Sequence, residues 1–303
     1  FFERYPHPES HRILTTDYPG ASDLLDDFCS SVYGMTQGQL YVIIDEYDQF
    51  TNEILAKDYK QFKALTSCTG FVKDFYTTLK YAYSDGAVAR IYMTGVTSIS
   101  LDSVTSGYSV AKNVSFNPKF ASVFGFTTEE LRSLIPQLID LTAYDHSLDE
   151  VLKRMRVLYN GYRFSPASDE TLFNASMCLY YLDHIRETNE EPNQLLDPSV
   201  AEDLSKIHGI LRLGSRQDVE AIVSQAIRKE AIPFGSQPEV LNLQTDGRLT
   251  RRGLLSTLLY LGYLTYAPGD TKALVVPNRA MAQQFFDVYF HFLRGFPDWE
   301  MTT

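Results

Sequence analysis

The stretch Tyr41-Val42-Ile43-Ile44-Asp45-Glu46-Tyr47-Asp48 constrains the fold more than any other part of the chain. An apolar run with two isoleucines leads straight into three carboxylates within four positions. A continuous run of this kind, set off by Gly38, predicts a buried strand of a parallel sheet covered on both faces. Carboxylates placed where such a strand ends lie at the carboxyl edge, where open α/β sheets bind their ligands. A nucleoside triphosphatase needs this arrangement, with one Asp to hold Mg²⁺ and an adjacent Glu to position or deprotonate a water. A buried strand that opens into a solvated acidic turn would carry the same residues.

The flanking pattern extends the α/β reading. Arg12 to Tyr18 predicts a short strand ending at Pro19-Gly20, and Ser22 predicts a cap for a helix through Phe28. Gly34 to Gly38 reads as a polar connection. After Asp48 a helical stretch is expected to about Lys63, then a loop over Ser67 to Gly70 and a helix from Phe71 to Ala82. Ala87 to Met93 is a second buried strand, stopping at Thr94-Gly95. Strands alternating with helices predict a parallel sheet with right-handed crossovers. Thr94 then ends the neighbouring strand, either as a small polar residue placed to hydrogen-bond an attacking water or a γ-phosphate, or as a threonine closing a turn.

Thr97 to Lys119 is rich in Ser, with Asn113, Asn117 and Gly107, and has little periodicity, as functional or mobile loops do. Thr127 and Glu130 form a capping box for the next helix. Helices follow over Leu148 to Tyr159, closed by Asn160-Gly161, and over Asn174 to His184. An acidic linker, Glu187 to Pro192, marks a change in composition. Residues 205–303 carry 11 basic and 9 acidic side chains, whereas the net charge of the whole chain is −11. In this last part, helices over Asp218 to Arg228 and Thr250 to Gly262 precede a hairpin over Tyr263 to Pro277, a winged-helix-like pattern. An aromatic-rich helix from Gln283 to Leu293 comes last. The expected domains are an α/β core over 1–145, a helical lid over 146–204 and a winged-helix-like part over 205–303.

Several of these stretches together resemble the predicted AAA-ATPase-like family, whose members often stand upstream of a PD-(D/E)XK-type nuclease domain. The matching pieces are Ile43 to Asp48, Met93 to Thr97, Gly125 to Leu131 and Tyr159 to Phe164. Weaker matches are Leu172 to Asn174, Leu259 to Leu264 and Val276 to Asn278. The resemblance implies a P-loop NTPase-like parallel sheet with a helical lid, followed by a mainly helical winged-helix-like tail. By position it implies that Asp45 binds the Mg²⁺ of ATP (the Walker B acid) and Glu46 activates water. Thr94 would be the sensor that contacts the γ-phosphate or that water. Arg163, beside the Asn160-Gly161 turn, would be a sensor or finger arginine. A protein partner or an attached effector domain is implied as well, and AAA-like modules often form rings.

One element of the family is missing. No Gly-Lys-Ser or Gly-Lys-Thr occurs in the 303 residues. Such a loop supplies the backbone N–H groups and the ammonium that cradle the β- and γ-phosphates. ATP and Mg²⁺ are therefore expected only if an upstream segment supplies it. The alternative is a degenerate pseudo-ATPase acting as a protein- or nucleic-acid-binding module.

Other chemistry finds little support. The acidic balance argues against a nonspecific nucleic-acid binder, and DNA contact rests only on Arg248, Arg251 and Arg252 at the start of a leucine-rich helix. Cys29, Cys68 and Cys178 are odd in number and widely spaced, as expected of reduced thiols in an intracellular protein. Of the six histidines only His7 and His11 lie four apart, and Pro6 and Pro8 exclude a regular helix there. No apolar run reaches membrane-spanning length, and no Gly-x-Ser-x-Gly occurs.

Overall fold

The computed structural model describes residues 12–13, 16–47, 71–95, 112–197, 207, 209–235, 238 and 248–293. Asp48, the helix expected to Lys63, the loop over 67–70, Val96, Thr97, Cys68, His7, His11 and most of the 97–119 stretch lie outside the described residues. The chain is α/β, with a small parallel sheet and many helices, and it divides into two compact units. One comprises residues 1–112 with 240–242, the other residues 113–239 with 243–303.

In the first unit, helix α1 (Ala21–Thr36) leads into strand β1 (Leu40–Ile44), helix α2 (Phe71–Ser84) and strand β2 (Val88–Met93). The two strands pair in parallel, as the alternation of strand and helix predicts. Both helices cover one face of the sheet. Tyr76 and Leu79 of α2 pack with Leu25, Val42, Ile44, Ile91 and Met93, while Cys29 and Ala82 pack with Leu40, Val42 and Val88. On the other face Tyr41 is 74% and Ile43 75% exposed, with Tyr92 beside Ile43 also exposed, and no described element covers them. The expectation of burial on both faces is thus corrected. An unbroken apolar run reads alike whether one or two layers cover it.

Two other local readings shift. Arg12 and Ile13 lie in a helical turn rather than a strand. The Thr16 N–H and hydroxyl both bond back to the Arg12 carbonyl, a competing use of a β-branched residue. The Arg12 guanidinium grips Asp27 of α1 with both arms and reaches Ser31, and Tyr18 donates to the same carboxylate. These contacts hold the Asp27 carboxyl at about 2, below the usual carboxylate range, the Arg12 hydrogen bonds contributing most. Helix α1 also runs through Gly34 to Thr36 and starts at Ala21 behind Gly20, so Ser22 is inside it rather than capping it.

The second unit begins with an irregular stretch and helix α3 (Thr128–Leu138), whose capping box pairs Thr127 and Glu130 as the sequence predicts. A short helix α4 (Leu141–Tyr144) precedes α5 (Leu148–Tyr159), which carries a second capping box, Ser147 with Glu150. Asn174 caps α6 (Ala175–Thr188), and Ser215 caps α7 (Arg216–Ile227). Strand β3 (Ile232–Pro233) follows, then α8 (Arg251–Tyr260), β4 (Thr265–Ala267), β5 (Asp270–Val275) and α9 (Arg279–Leu293). The three strands form an antiparallel sheet ordered β3-β5-β4. Helix α3 packs on α5, and α9 packs on both α5 and α7. The stretches expected as lid and tail therefore share one unit and one set of packed helices. No described helix is long and apolar enough to cross a membrane.

Candidate functional site

The register of the parallel pair builds the site. Ile43 faces Tyr92 and Ile44 faces Met93, so the next residues to meet are Asp45 and Thr94. The ladder continues past the strands: Thr94 N–H donates to the Ile44 carbonyl and Tyr47 N–H to the Thr94 carbonyl, each at 2.9 Å. Between these two bonds the chain must turn sharply, and Glu46 does so with φ of 50°, in the left-handed region. Few residues other than glycine occupy that region. Glu46 is exposed, its carboxylate held by no partner among the described residues.

Asp45 is fixed on one side. Its Oδ1 accepts the Glu46 N–H at 3.0 Å and the Thr94 hydroxyl proton. Its other oxygen has no hydrogen-bond partner among the described residues, and the residue is exposed. One anionic oxygen atom and a hydroxyl at the carboxyl edge of parallel strands suit Mg²⁺. That ion takes one or two carboxylates and completes its shell with water and phosphate oxygens. The structure brings Asp45, Glu46 and Thr94 together in the first unit. No group of three or more His, Cys, Asp or Glu suited to a metal occurs among the described residues.

Arg163 belongs to the second unit, in a joint made by the remaining motifs. Its backbone is clamped by the buried Thr265 hydroxyl, which accepts Arg163 N–H at 2.7 Å and donates to the Arg163 carbonyl at 3.1 Å. Its guanidinium reaches the Asp169 carbonyl at 3.5 Å. Tyr162 and Leu172 exchange both backbone bonds, and Asn174 N–H donates to the Tyr159 carbonyl. Gly161, at φ 107°, lies against Pro277 so closely that an added Cβ would sit 2.1 Å from the Pro277 oxygen. Burial pushes the Tyr162 phenol up to about 12, with the Asn278 and Asn174 side chains pulling the other way. Three of the motif stretches, Tyr159–Phe164, Leu172–Asn174 and Val276–Asn278, therefore meet at one place.

Helix α8 differs from what groove reading requires. Residues 253–259 are buried all round, and Arg251 lies 3.7 Å from the Asp218 carboxylate. Cys29 and Cys178 are buried, unpaired thiols, and burial pushes both upward.

Sequence reasoning missed the Glu46 backbone, for which no glycine gave a signal, and the Thr265 clamp, whose partner is 102 residues away. It also missed the cluster in which Glu191 accepts from the Tyr144 hydroxyl at 3.0 Å and pairs with Arg154. Neither clamp nor cluster has a local pattern.

Comparison with known proteins gives one match. No curated protein and no solved structure matches the chain. Residues 7–105, about a third of the chain and including Asp45, Glu46 and Thr94, match the family AAA-ATPase_like, described as predicted AAA-ATPase.

Proposed function

We propose that the first unit is an AAA-like nucleotide-binding module in which Asp45 holds the Mg²⁺ of ATP and Glu46 orients and deprotonates a water. The observation that carries this reading is the parallel register, which sets Asp45 beside Thr94 at the carboxyl edge with the Glu46 carboxylate exposed next to them. Bound Mg²⁺ would neutralise phosphate charge at that edge. Asp45 contributes its unpartnered oxygen, and Glu46 contributes a base that the αL turn holds out to solvent. A phosphate-binding loop would have to come from outside the 303 residues.

In this reading the second unit is the mechanical part: a helical lid with Arg163, and a winged-helix-like tail through which nucleotide state controls an attached effector. The β3-β5-β4 order with α8 before the hairpin supports the winged-helix assignment. Burial of residues 253–259 within the unit itself leaves that helix little surface to enter a DNA groove.

The test is nucleotide binding and turnover in the full-length protein. Glu46→Gln is expected to keep Mg·ATP binding and to lose turnover by about 10²-fold or more. Asp45→Asn is expected to weaken Mg²⁺-dependent binding. The absence of Gly-Lys-Ser/Thr favours a second reading, a pseudo-ATPase serving partner recognition. It would prevail if the unaltered protein bound no nucleotide and both variants retained partner binding.

A further inference from the structure

We infer that Thr94 is a positioning residue for Asp45, and that its hydroxyl does not donate to the phosphate of a bound nucleotide. The inference rests on the nucleotide reading above and departs from the sensor role that the family resemblance implies for this position.

The argument is one of hydrogen-bond inventory. A threonine hydroxyl carries one proton and two lone pairs, and an ionised carboxylate only accepts. The contact between Thr94 Oγ1 and Asp45 Oδ1 can therefore run in one direction only, from threonine to carboxylate. That commits the single proton. A phosphate oxygen is likewise an acceptor, so Thr94 has nothing left to give it while the contact stands. What remains on Oγ1 are lone pairs, which can take a proton from a water but not from a phosphate.

The surroundings fix the contact. Thr94 is held by its backbone on both sides, through its N–H to Ile44 and its carbonyl from Tyr47. Its Cβ is thus set by the sheet and not by a mobile loop. The same Asp45 oxygen also accepts the Glu46 N–H. Two donors on Oδ1 restrain the carboxyl plane and leave the second oxygen of this exposed residue free for a cation. Groups that orient a metal-binding carboxylate typically change metal affinity by about 10-fold or more when removed.

The experiment compares Thr94→Val and Thr94→Ser in the full-length protein. Mn²⁺ serves as the probe, with its affinity read by electron paramagnetic resonance alone and with ATP. The Glu46 amide proton is followed by NMR without nucleotide. Thr94→Val is expected to weaken Mn²⁺ binding about 10-fold and to shift the Glu46 amide. Affinity for ATP in chelator should stay unchanged, and Thr94→Ser should restore the unaltered values. A Thr94→Val protein with unchanged Mn²⁺ affinity and an unmoved Glu46 amide, yet lower turnover or weaker metal-free ATP binding, would overturn the inference and restore direct contact. If Mn²⁺ and ATP fail to bind even the unaltered protein, the nucleotide reading fails. The Glu46 amide then decides alone: moved by Val and restored by Ser, it upholds the positioning contact, and unmoved it overturns it.

Discussion

The motif stretches of the sequence do opposite things in the two units. In the first, Ile43–Asp45 and Met93–Thr94 carry the chain from a packed sheet out to an exposed acidic edge. In the second, Tyr159–Phe164, Leu172–Asn174 and Val276–Asn278 run inward, and their side chains and carbonyls hold one another. A residue pattern can therefore mark an exposed acidic edge in one place and a structural joint in another. Burial separates the two: Tyr159 and Tyr162 are buried, whereas Asp45 and Glu46 are exposed. A group that meets substrate must be reachable, and a group that fixes two segments must be dry enough for its bonds to count.

The sharpest way to break this contrast is at Gly161. Alanine there combines a φ of 107° with a Cβ driven to 2.1 Å from the Pro277 oxygen, a backbone atom that cannot swing away. Gly161→Ala is expected to destabilise the second unit by about 3 kcal/mol or more, read as a lowered denaturation midpoint. The first unit's fold should be unaffected if each unit unfolds by its own transition. A loss of less than about 1 kcal/mol would show that the joint yields and is not a fixed staple.

How far these features could be read in advance depends on the range of the interaction that makes them. Helix α5 is legible to the residue, because Leu148 to Tyr159 is periodic and Asn160-Gly161 ends it. The Thr127–Glu130 box is legible because both partners lie within one turn. That the strand ending in Asp45 neighbours the one ending in Thr94 is legible from the alternation of strand and helix, but the hydroxyl's bond to the carboxylate is not. What escapes is set by distant contacts. Nothing near Arg163 announces Thr265, and nothing within Tyr41 to Ile44 tells that one sheet face stays open. Arg12 to Tyr18 fails for a third reason, since the Thr16 hydroxyl satisfies the backbone locally and competes with a strand.

The open face gives the next test, smaller and confined to the first unit. Ile43 and Ile44 are neighbours with the same side chain, one exposed and one packed on Tyr76 and Leu79. Alanine at either position loses the same strand propensity, at most about 1 kcal/mol. Only Ile44→Ala also removes apolar contacts from the core, for a further loss of about 1.5–2 kcal/mol. Denaturant titration of the two variants should therefore give Ile44→Ala the clearly lower stability. Equal losses would mean that Ile43 is covered in solution, and the two faces of the sheet would then be equivalent after all.

The smallest effect is expected at Glu46, and its sign is opposite. A non-glycine residue in the left-handed region costs about 1–2 kcal/mol, and glycine removes that cost. Glycine also makes the unfolded chain more flexible, which offsets about 0.5–1 kcal/mol. Glu46→Gly should thus stabilise the first unit by about 0.5 kcal/mol, a small rise in melting temperature, while deleting the exposed carboxylate. Glu46→Gln keeps the strain and should leave stability unchanged, so the pair separates backbone from charge. If Glu46→Gly is both more stable and without turnover, the edge holds a strained acid where a relaxed residue would fold better, as functional sites do. If it is less stable, the Glu46 side chain contributes to the fold, and the exposed edge of the first unit would resemble the joint of the second.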